Sequence, residues 1–231
     1  MINFDPSRKI TAEFIGTTFL LATVIGSGIM AETLSPNNSG IALLANMAAT
    51  GAILMVLILI FGPISGAHFN PAVTFGFFLR REISLGMTAA YTSVQILGGL
   101  VGAVIAHLMF GLPVVEASTH IRTGPAQWLA EIVATFGLLS TIYGCIRFRV
   151  EAVPYAVGLY ISAAYWFTSS TSFANPAVTI ARSLTDTFSG IRPEDALGFI
   201  CSQLIGAILA TMVFYWLLKP VGITPRPGNN N

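Results

Sequence analysis

The sequence predicts an all-α integral membrane protein with six transmembrane helices and two re-entrant half-helices in an inverted repeat. Three observations lead to this fold class. The 231 residues are 54% hydrophobic and only 9% charged, whereas a soluble domain carries about 25% charged residues. Six apolar stretches approach the ~20 residues that a spanning helix needs. The string NPAVT occurs twice, at 70–74 and again at 175–179.

The six apolar stretches are the predicted spans, and they cover residues 11–31, 40–61, 87–110, 127–146, 153–171 and 196–218. The first follows Arg8 and Lys9, as a signal peptide would. It is too long for the apolar part of a signal peptide, contains Glu13 and lacks a clear cleavage site. We therefore expect it to remain in the mature chain as a span.

The first and fourth spans have similar sequences. Residues 12–28 and 130–146 share seven identities in seventeen positions, and the third and sixth spans share the pattern Gln-x-x-Gly. Each half contains three spans, so the second half must enter the bilayer from the opposite face. We expect one membrane domain, 1–231, with repeat 1 over 10–110, repeat 2 over 127–218 and a disordered cytoplasmic tail over 219–231.

Each NPAVT string follows a span and precedes an apolar run too short to cross a bilayer. Asn followed by Pro is typical of a helix start, with Asn as the cap and Pro at the first helical position. Each string therefore starts a predicted half-helix. Entering from opposite faces, the two N-termini meet near the bilayer centre, where irregular backbone is tolerated only inside protein or beside water.

The positive-inside rule sets the predicted orientation. With six spans, both termini share one side with the loops after the second and fourth spans, and that side collects eight of the eleven Lys and Arg residues. We therefore predict cytoplasmic termini and a multi-pass protein of the cell inner membrane.

The segments SGAHFNPAVT (65–74) and FANPAVT (173–179), together with Glu13, Glu131 and six spans, resemble the aquaporin or major intrinsic protein family. The resemblance covers about residues 10–218. It implies a homotetramer with one pore per subunit and passive flow of water and small neutral solutes. It also implies two pore motifs, whose residues are Asn70, Pro71, Ala72, Asn175, Pro176 and Ala177.

Three polar residues receive predicted structural roles. Glu13 and Glu131 are carboxylates within spans, and they require hydrogen-bond partners there. They could form a proton relay, but their matching positions in the two repeats favour bracing of the loops that carry the NPA motifs. His68 matches a loop histidine of the family. We expect it to have a structural role in which its backbone carbonyl faces the pore, and not to act by gaining and losing a proton.

The second motif departs from the family pattern, which normally continues NPAR. Val178 stands where that arginine would supply a permanent charge and five N–H donors. In the family this arginine belongs to the selectivity filter, the narrowest part of the pore. Spacing along the sequence places Thr50 and Ser172 at two further positions of that filter. The fourth position is Ala163 if it is counted back twelve residues from Asn175. It is Tyr165 if it is aligned on the pattern Pro154-x-x-x-Gly158, which the family shares. We expect a filter that is wider and less polar than in water-selective members.

Arg182 lies one turn beyond Val178 on the same half-helix. Two interpretations stay open from the sequence. Arg182 either replaces the missing filter charge near the outer mouth or pairs near the end of the half-helix, with Asp186 as the nearest candidate. We favour the second interpretation at this point.

The predicted function is a passive channel for water and small uncharged solutes such as glycerol and urea. Arsenicals are candidate cargo, because an aquaglyceroporin-like chain without the arginine resembles bacterial members associated with arsenical resistance. An ordinary water-selective aquaporin is the alternative, and an alternating-access transporter or a structural membrane protein is more remote.

Neither an enzyme nor a cofactor is predicted, because no nucleophile with a base, metal cluster or phosphate-binding loop is evident in the sequence. The expected partners are the lipid bilayer and the solutes. No nucleic-acid partner is expected, since the net charge is only +1.

Overall fold

Eight α-helices form the protein in the computed structural model, which describes residues 4–220. The helices are α1 (Pro6–Leu34), α2 (Ser39–Ser65), α3 (Pro71–Leu79), α4 (Leu85–Phe110), α5 (Pro125–Phe148), α6 (Val153–Phe167), α7 (Pro176–Arg182) and α8 (Pro193–Leu217). The predicted set of six long and two short helices is confirmed. The predicted tail, 219–231, lies outside the described residues apart from Lys219 and Pro220.

Five helices of the described chain are long and apolar enough to cross a membrane, namely α1, α2, α4, α5 and α8. Helix α6 has 15 residues and follows a 3₁₀ turn at Val150–Ala152. The prediction that this span continues to residue 171 is wrong, because α6 ends at Phe167. The chain leaves the helix there, and the Ser170 hydroxyl donates a hydrogen bond to Glu131, 2.6 Å away.

The helices pack as two similar halves, α1–α4 and α5–α8. Helix α1 lies along α4 in the first half, and α5 lies along α8 in the second. Helices α2 and α6 pack against each other across the halves. The short helices α3 and α7 each contact both α4 and α8. Each half-helix is therefore held between the last long helix of its own repeat and that of the other repeat.

The outer surface is apolar and the interior contains polar groups, the reverse of a soluble protein. Outward-facing Phe19, Tyr215 and Trp216 are more than half exposed, whereas Glu13 and Glu131 are fully buried. In a bilayer the exposed side chains contact lipid, and the buried polar groups must be satisfied by protein. The distribution agrees with an integral membrane protein.

Glycine allows close contact between two helices in each half. A Cβ atom on Gly98 of α4 would lie only 2.6 Å from the Phe14 carbonyl oxygen of α1. Gly206 of α8 faces the Ile132 carbonyl of α5 in the same way. Both are the glycines of the repeated Gln-x-x-Gly pattern, and small residues permit such close backbone approach between membrane helices.

Replacing Gly98 with alanine should therefore force α1 and α4 apart, with a loss of about 1–3 kcal/mol, as for other overpacked interfaces. The measurement is the thermal midpoint of the protein in detergent. Gly86→Ala is the matched control, because a Cβ atom on that glycine, in the first turn of the same helix, would meet no other atom within 4 Å. Equal midpoints for the two variants would contradict the close contact.

Candidate functional site

The two Asn-Pro pairs start α3 and α7 as predicted. The Asn70 Oδ1 atom accepts hydrogen bonds from the backbone N–H groups two and three residues later, at 2.8 and 3.4 Å. The Asn175 Oδ1 atom does the same at 2.9 and 3.4 Å. Pro71 and Pro176 occupy the first helical positions, where a missing N–H leaves no bond unmade.

The two loops that precede these half-helices are joined by the same asparagines. The Asn70 side-chain amide donates to the Ala174 carbonyl at 2.7 Å, and the Asn175 amide donates to the Phe69 carbonyl at 2.9 Å. Each amide nitrogen carries a second N–H, and both asparagines line a central cavity. The positive ends of two helix dipoles therefore meet at the asparagine pair.

The loop backbones adopt a conformation that requires support. Ala67 and Phe69 in the first loop, and Ser172 and Ala174 in the second, have φ between 47° and 52°. This left-handed region is unfavourable for residues other than glycine by roughly 1–2 kcal/mol each. The four residues match by position in the two repeats. The same strained backbone conformation therefore occurs in both loops and is a feature of the repeated fold.

Glu13 of α1 supports the first loop. Its carboxylate accepts hydrogen bonds from the Ser65 hydroxyl at 2.7 Å, the His68 and Phe69 N–H groups at 2.9 and 2.7 Å, and the Gln95 side-chain amide at 2.8 Å. Both carboxylate oxygens are thus engaged by the loop and by α4. These are the contacts expected of a brace.

Glu131 of α5 supports the second loop with an equivalent set of four donors. They are the Ser170 hydroxyl at 2.6 Å, the Phe173 and Ala174 N–H groups at 2.9 and 2.8 Å, and the Gln203 side-chain amide at 2.6 Å. Neither carboxylate lines the cavity. The geometry favours bracing over a proton relay for both residues.

The central cavity is lined by both asparagines. About 100 Å³ of it is open to the centres of water molecules, which is enough for several waters in single file. Its wall is mostly aliphatic and comes from the first two helices of each repeat and both loops. Phe77 of α3 lines one end and Arg182 of α7 lines the other, since the half-helices run apart from the asparagine pair. We call these the Phe77 end and the Arg182 end.

Four of the five predicted filter residues line this cavity together, and they are Thr50, Tyr165, Ser172 and Val178. The Tyr165 hydroxyl donates to Thr50 Oγ1 at 3.2 Å. Ala163 is instead exposed on the outside of α6. Helical positions two residues apart differ by about 200° in direction, so only one of the two alternatives, Ala163 and Tyr165, can face the cavity. It is Tyr165, and the alternative Ala163 is wrong.

His68 lines the cavity toward the Phe77 end. Its Nδ1 atom lies 3.1 Å from Thr74 Oγ1, and its ring stacks on Phe77 with centroids 4.6 Å apart. The backbone N–H of His68 is one of the donors to Glu13. The ring is therefore packed and hydrogen-bonded, in keeping with a structural role.

Arg182 is buried and lines the cavity. Its guanidinium carbon lies 3.5 Å from the centre of the Phe173 ring, and its Nε donates to the Ser189 carbonyl. The expected pairing with Asp186 is wrong. Asp186 instead accepts bonds from the Thr119 backbone and hydroxyl at 2.8 and 3.0 Å, and the Thr119 N–H lowers the pKa of that carboxyl below its usual value.

Arg122, between α4 and α5, lies against the Phe173 ring at the edge of the site, a position that the sequence did not predict. Its Nε donates to the Gly190 carbonyl at 2.7 Å, and its guanidinium carbon lies 5.2 Å from the centre of the Phe173 ring. The segment around it has no periodicity or motif that predicts this position. Gln95 and Gln203 were also missed, although the repeated Gln-x-x-Gly pattern was a usable signal.

Residues 4–220 contain no group of three or more His, Cys, Asp or Glu side chains arranged to hold a metal ion. The site consists of asparagine amides, hydroxyls, one lining arginine, one histidine and an aliphatic wall. Such a set can exchange hydrogen bonds with a passing solute.

Comparison with known proteins gave consistent results. A family model described as Major intrinsic protein matches residues 2–151 and 145–230. The chain is 56% identical over 220 residues to "Aquaglyceroporin AqpS" of Rhizobium meliloti (strain 1021), covering 95% of this chain and 94% of that relative. It is 28% identical over 235 residues to "Aquaporin NIP1-1" of Arabidopsis thaliana, covering 95% and 75%. The fold resembles the X-ray structure of the aquaglyceroporin from Plasmodium falciparum, with a TM-score of 0.71, 22% identity and coverage of 92% and 95%.

Proposed function

Because the chain belongs to the major intrinsic protein family, we propose that it is a passive membrane channel for water and for small uncharged solutes of the size of glycerol and urea, and not an enzyme. The similarity to an aquaglyceroporin over nearly the whole chain supports the channel class. The cavity that both asparagines line supports a path for such solutes through the protein.

The observation that carries the solute preference is the position of Val178 in the wall of the cavity that Tyr165 and Ser172 also line. At this place the family pattern has an arginine, and valine supplies no charge and no donor. A filter of this kind admits solutes larger than water. Arsenous acid and methylated arsenicals, which are small neutral hydroxylated molecules, are candidate cargo on the same ground.

An ordinary water-selective channel is the second candidate, and Arg182 is the observation that favours it. The residue lines the same cavity, and its side chain would narrow the path near the position that Val178 leaves open. Solute flux separates the two candidates, since a water-selective channel excludes glycerol. The remote alternatives are an alternating-access transporter, which would show saturable, ion-coupled uptake, and a structural membrane protein with a closed pore.

The test is flux into proteoliposomes containing the purified protein, followed by light scattering after rapid mixing. Glycerol, urea and arsenous acid are compared with mannitol, a larger uncharged solute, and with empty liposomes. We expect the three small solutes to enter without saturation and without dependence on an ion gradient, and mannitol to remain excluded. Saturation, or flux that an ionophore abolishes, would contradict a passive channel.

The setting in the cell is part of the proposal. Eight of the eleven basic residues fall on the side of the termini, which supports cytoplasmic termini in the inner membrane. A homotetramer with one pore per subunit is proposed by analogy with the family. Crosslinking in native membranes followed by denaturing electrophoresis tests the oligomer, and labelling of an added N-terminal cysteine in intact cells tests the orientation.

Protons should be excluded although the filter arginine is absent. The helix dipoles of α3 and α7 present positive ends to the path, and the asparagine amides donate to the water between them, which interrupts a proton-conducting chain. We expect a pH gradient across dye-loaded proteoliposomes to collapse no faster than in empty liposomes. Rapid collapse in the presence of the protein, at the rate that a proton ionophore gives, would contradict this exclusion.

A further inference from the structure

Arg182 presents a charge that the described part of the protein does not neutralise. It takes part in no ion pair within residues 4–220. Its Nη1 atom is buried and has no hydrogen-bond partner there. Water in the cavity can accept from a guanidinium N–H but does not neutralise its charge. A buried charge without a counter-charge is unfavourable by several kcal/mol as a general rule, so an anion from solution would be stabilised beside Arg182.

The carboxylates in the same half of the molecule are already used. Glu131 receives four hydrogen bonds from the second loop and α8. Asp186 accepts from Thr119, and Asp195 accepts from the Arg122 N–H and from Arg192. None of the three lies within ion-pair distance of Arg182.

Arg122 adds a second positive charge at the same place. Its guanidinium and that of Arg182 both contact the ring of Phe173, so their central carbons lie within about 9 Å of each other, where like charges repel. The Arg122 Nε and Nη1 atoms are held by the Gly190 and Ser170 carbonyls, which are neutral acceptors. The repulsion is therefore not relieved by these contacts.

A hydroxyl completes the set of donors. Ser172 lines the cavity together with Arg182, and its Oγ atom is buried with no partner in the described chain. Arg182 and Ser172 both line the cavity, and a guanidinium and a hydroxyl are the donors that an oxyanion accepts from. Because the Nη1 and Oγ atoms are themselves buried, each side chain must turn slightly to reach the ligand. We propose that the Arg182 end of the cavity binds a small monovalent oxyanion of the class of nitrate or formate, and that the bound anion obstructs the passage of uncharged solutes.

The size and the wall of the cavity limit the ligand. With about 100 Å³ available to water centres, the cavity suits a compact anion that can shed its water. Beyond the anion the path continues past Val178 into an aliphatic wall, where an ion would lose solvation without compensation. The anion therefore stays at the Arg182 end and acts as an obstruction, not as a conducted ion.

This inference rests on the proposed function, and one experiment separates the two. Glycerol flux into proteoliposomes is measured in sodium nitrate and in sodium gluconate of equal concentration, gluconate being a monovalent anion too bulky for the cavity. We expect nitrate to reduce glycerol flux severalfold. The Arg182→Gln variant should lose this inhibition, and Arg122→Gln should require more nitrate for the same effect.

Arg192→Gln is the matched control, because Arg192 lies on the same side of the molecule but is already paired with Glu194 and Asp195. It should retain inhibition by nitrate. The thermal midpoint of the wild-type protein in detergent is measured in both salts as well, and nitrate should raise it. Inhibition that is equal in Arg182→Gln and the wild type, or no rise in the midpoint with nitrate, would overturn the anion site. Absence of glycerol flux in gluconate would instead contradict the proposed function, and the midpoint would still decide the site.

Discussion

Replacing Val178 with arginine is expected to reduce glycerol and urea flux by about tenfold or more, which corresponds to about 1.4 kcal/mol at the barrier, while water flux falls much less. The new guanidinium would enter the cavity that Tyr165 and Ser172 also line. It would take up volume that a solute of glycerol size needs and leave a passage for water. The measurement is light scattering of proteoliposomes, with solute and water gradients applied to the same preparation.

Val178→Leu is the matched control for this substitution, because leucine adds volume without adding charge or donors. We expect it to lower glycerol flux less than arginine does. Glycerol flux that is unchanged in Val178→Arg, with the protein folded and present in equal amount, would show that Val178 does not form the constriction. Equal effects of leucine and arginine would assign the selectivity to volume alone.

Replacing Glu131 with glutamine is expected to lower the free energy of unfolding by about 3 kcal/mol or more, because hydrogen bonds to a charged acceptor contribute about 1.5–3 kcal/mol each. Four donors converge on the carboxylate, from Ser170, Phe173, Ala174 and Gln203. Glutamine presents one oxygen and an N–H₂ group in their place. At least two donors would then lose their acceptor, and the left-handed residues of the loop would lose their support.

The thermal midpoint in detergent and water flux in proteoliposomes measure this effect. Glu151→Gln is the matched control, since that glutamate is exposed in the 3₁₀ turn before α6. Both readouts should fall in Glu131→Gln and remain at the wild-type level in the control. A Glu131→Gln variant with unchanged midpoint and water flux but altered proton flux would support the relay that the geometry disfavours.

The sequence was sufficient to predict the features that rest on local signals and on duplication. The Asn-Pro pairs are helix starts by residue type alone, and both half-helices begin where those signals stand. Glu13 and Glu131 stood out because they recur at matching positions in two apolar spans. Their partners also recur, since the loops and the Gln-x-x-Gly helices are duplicated as well.

Features that depend on long-range contacts could not be predicted in this way. The choice between Ala163 and Tyr165 depends on where α6 ends. The helix ends at Phe167, and the chain beyond it is held by the hydrogen bond from Ser170 to Glu131. The direction of the Arg182 side chain depends on Phe173 and Ser189, and the position of Arg122 depends on Gly190, 68 residues away in the chain. None of these contacts leaves a periodic pattern in the sequence.

The central claim is that solutes pass the asparagine pair and Val178 through the cavity. Thiol modification of a Val178→Cys variant, with Cys145 and Cys201 replaced by serine, tests it most directly. Ala163→Cys in the same background is the control, because Ala163 lies on the exposed side of α6 and does not line the cavity. We predict that a small methanethiosulfonate reagent blocks both water and glycerol flux through Val178→Cys and leaves flux through Ala163→Cys unchanged. Complete labelling of the thiol in Val178→Cys, verified by mass spectrometry, with no change in either flux would contradict the claim.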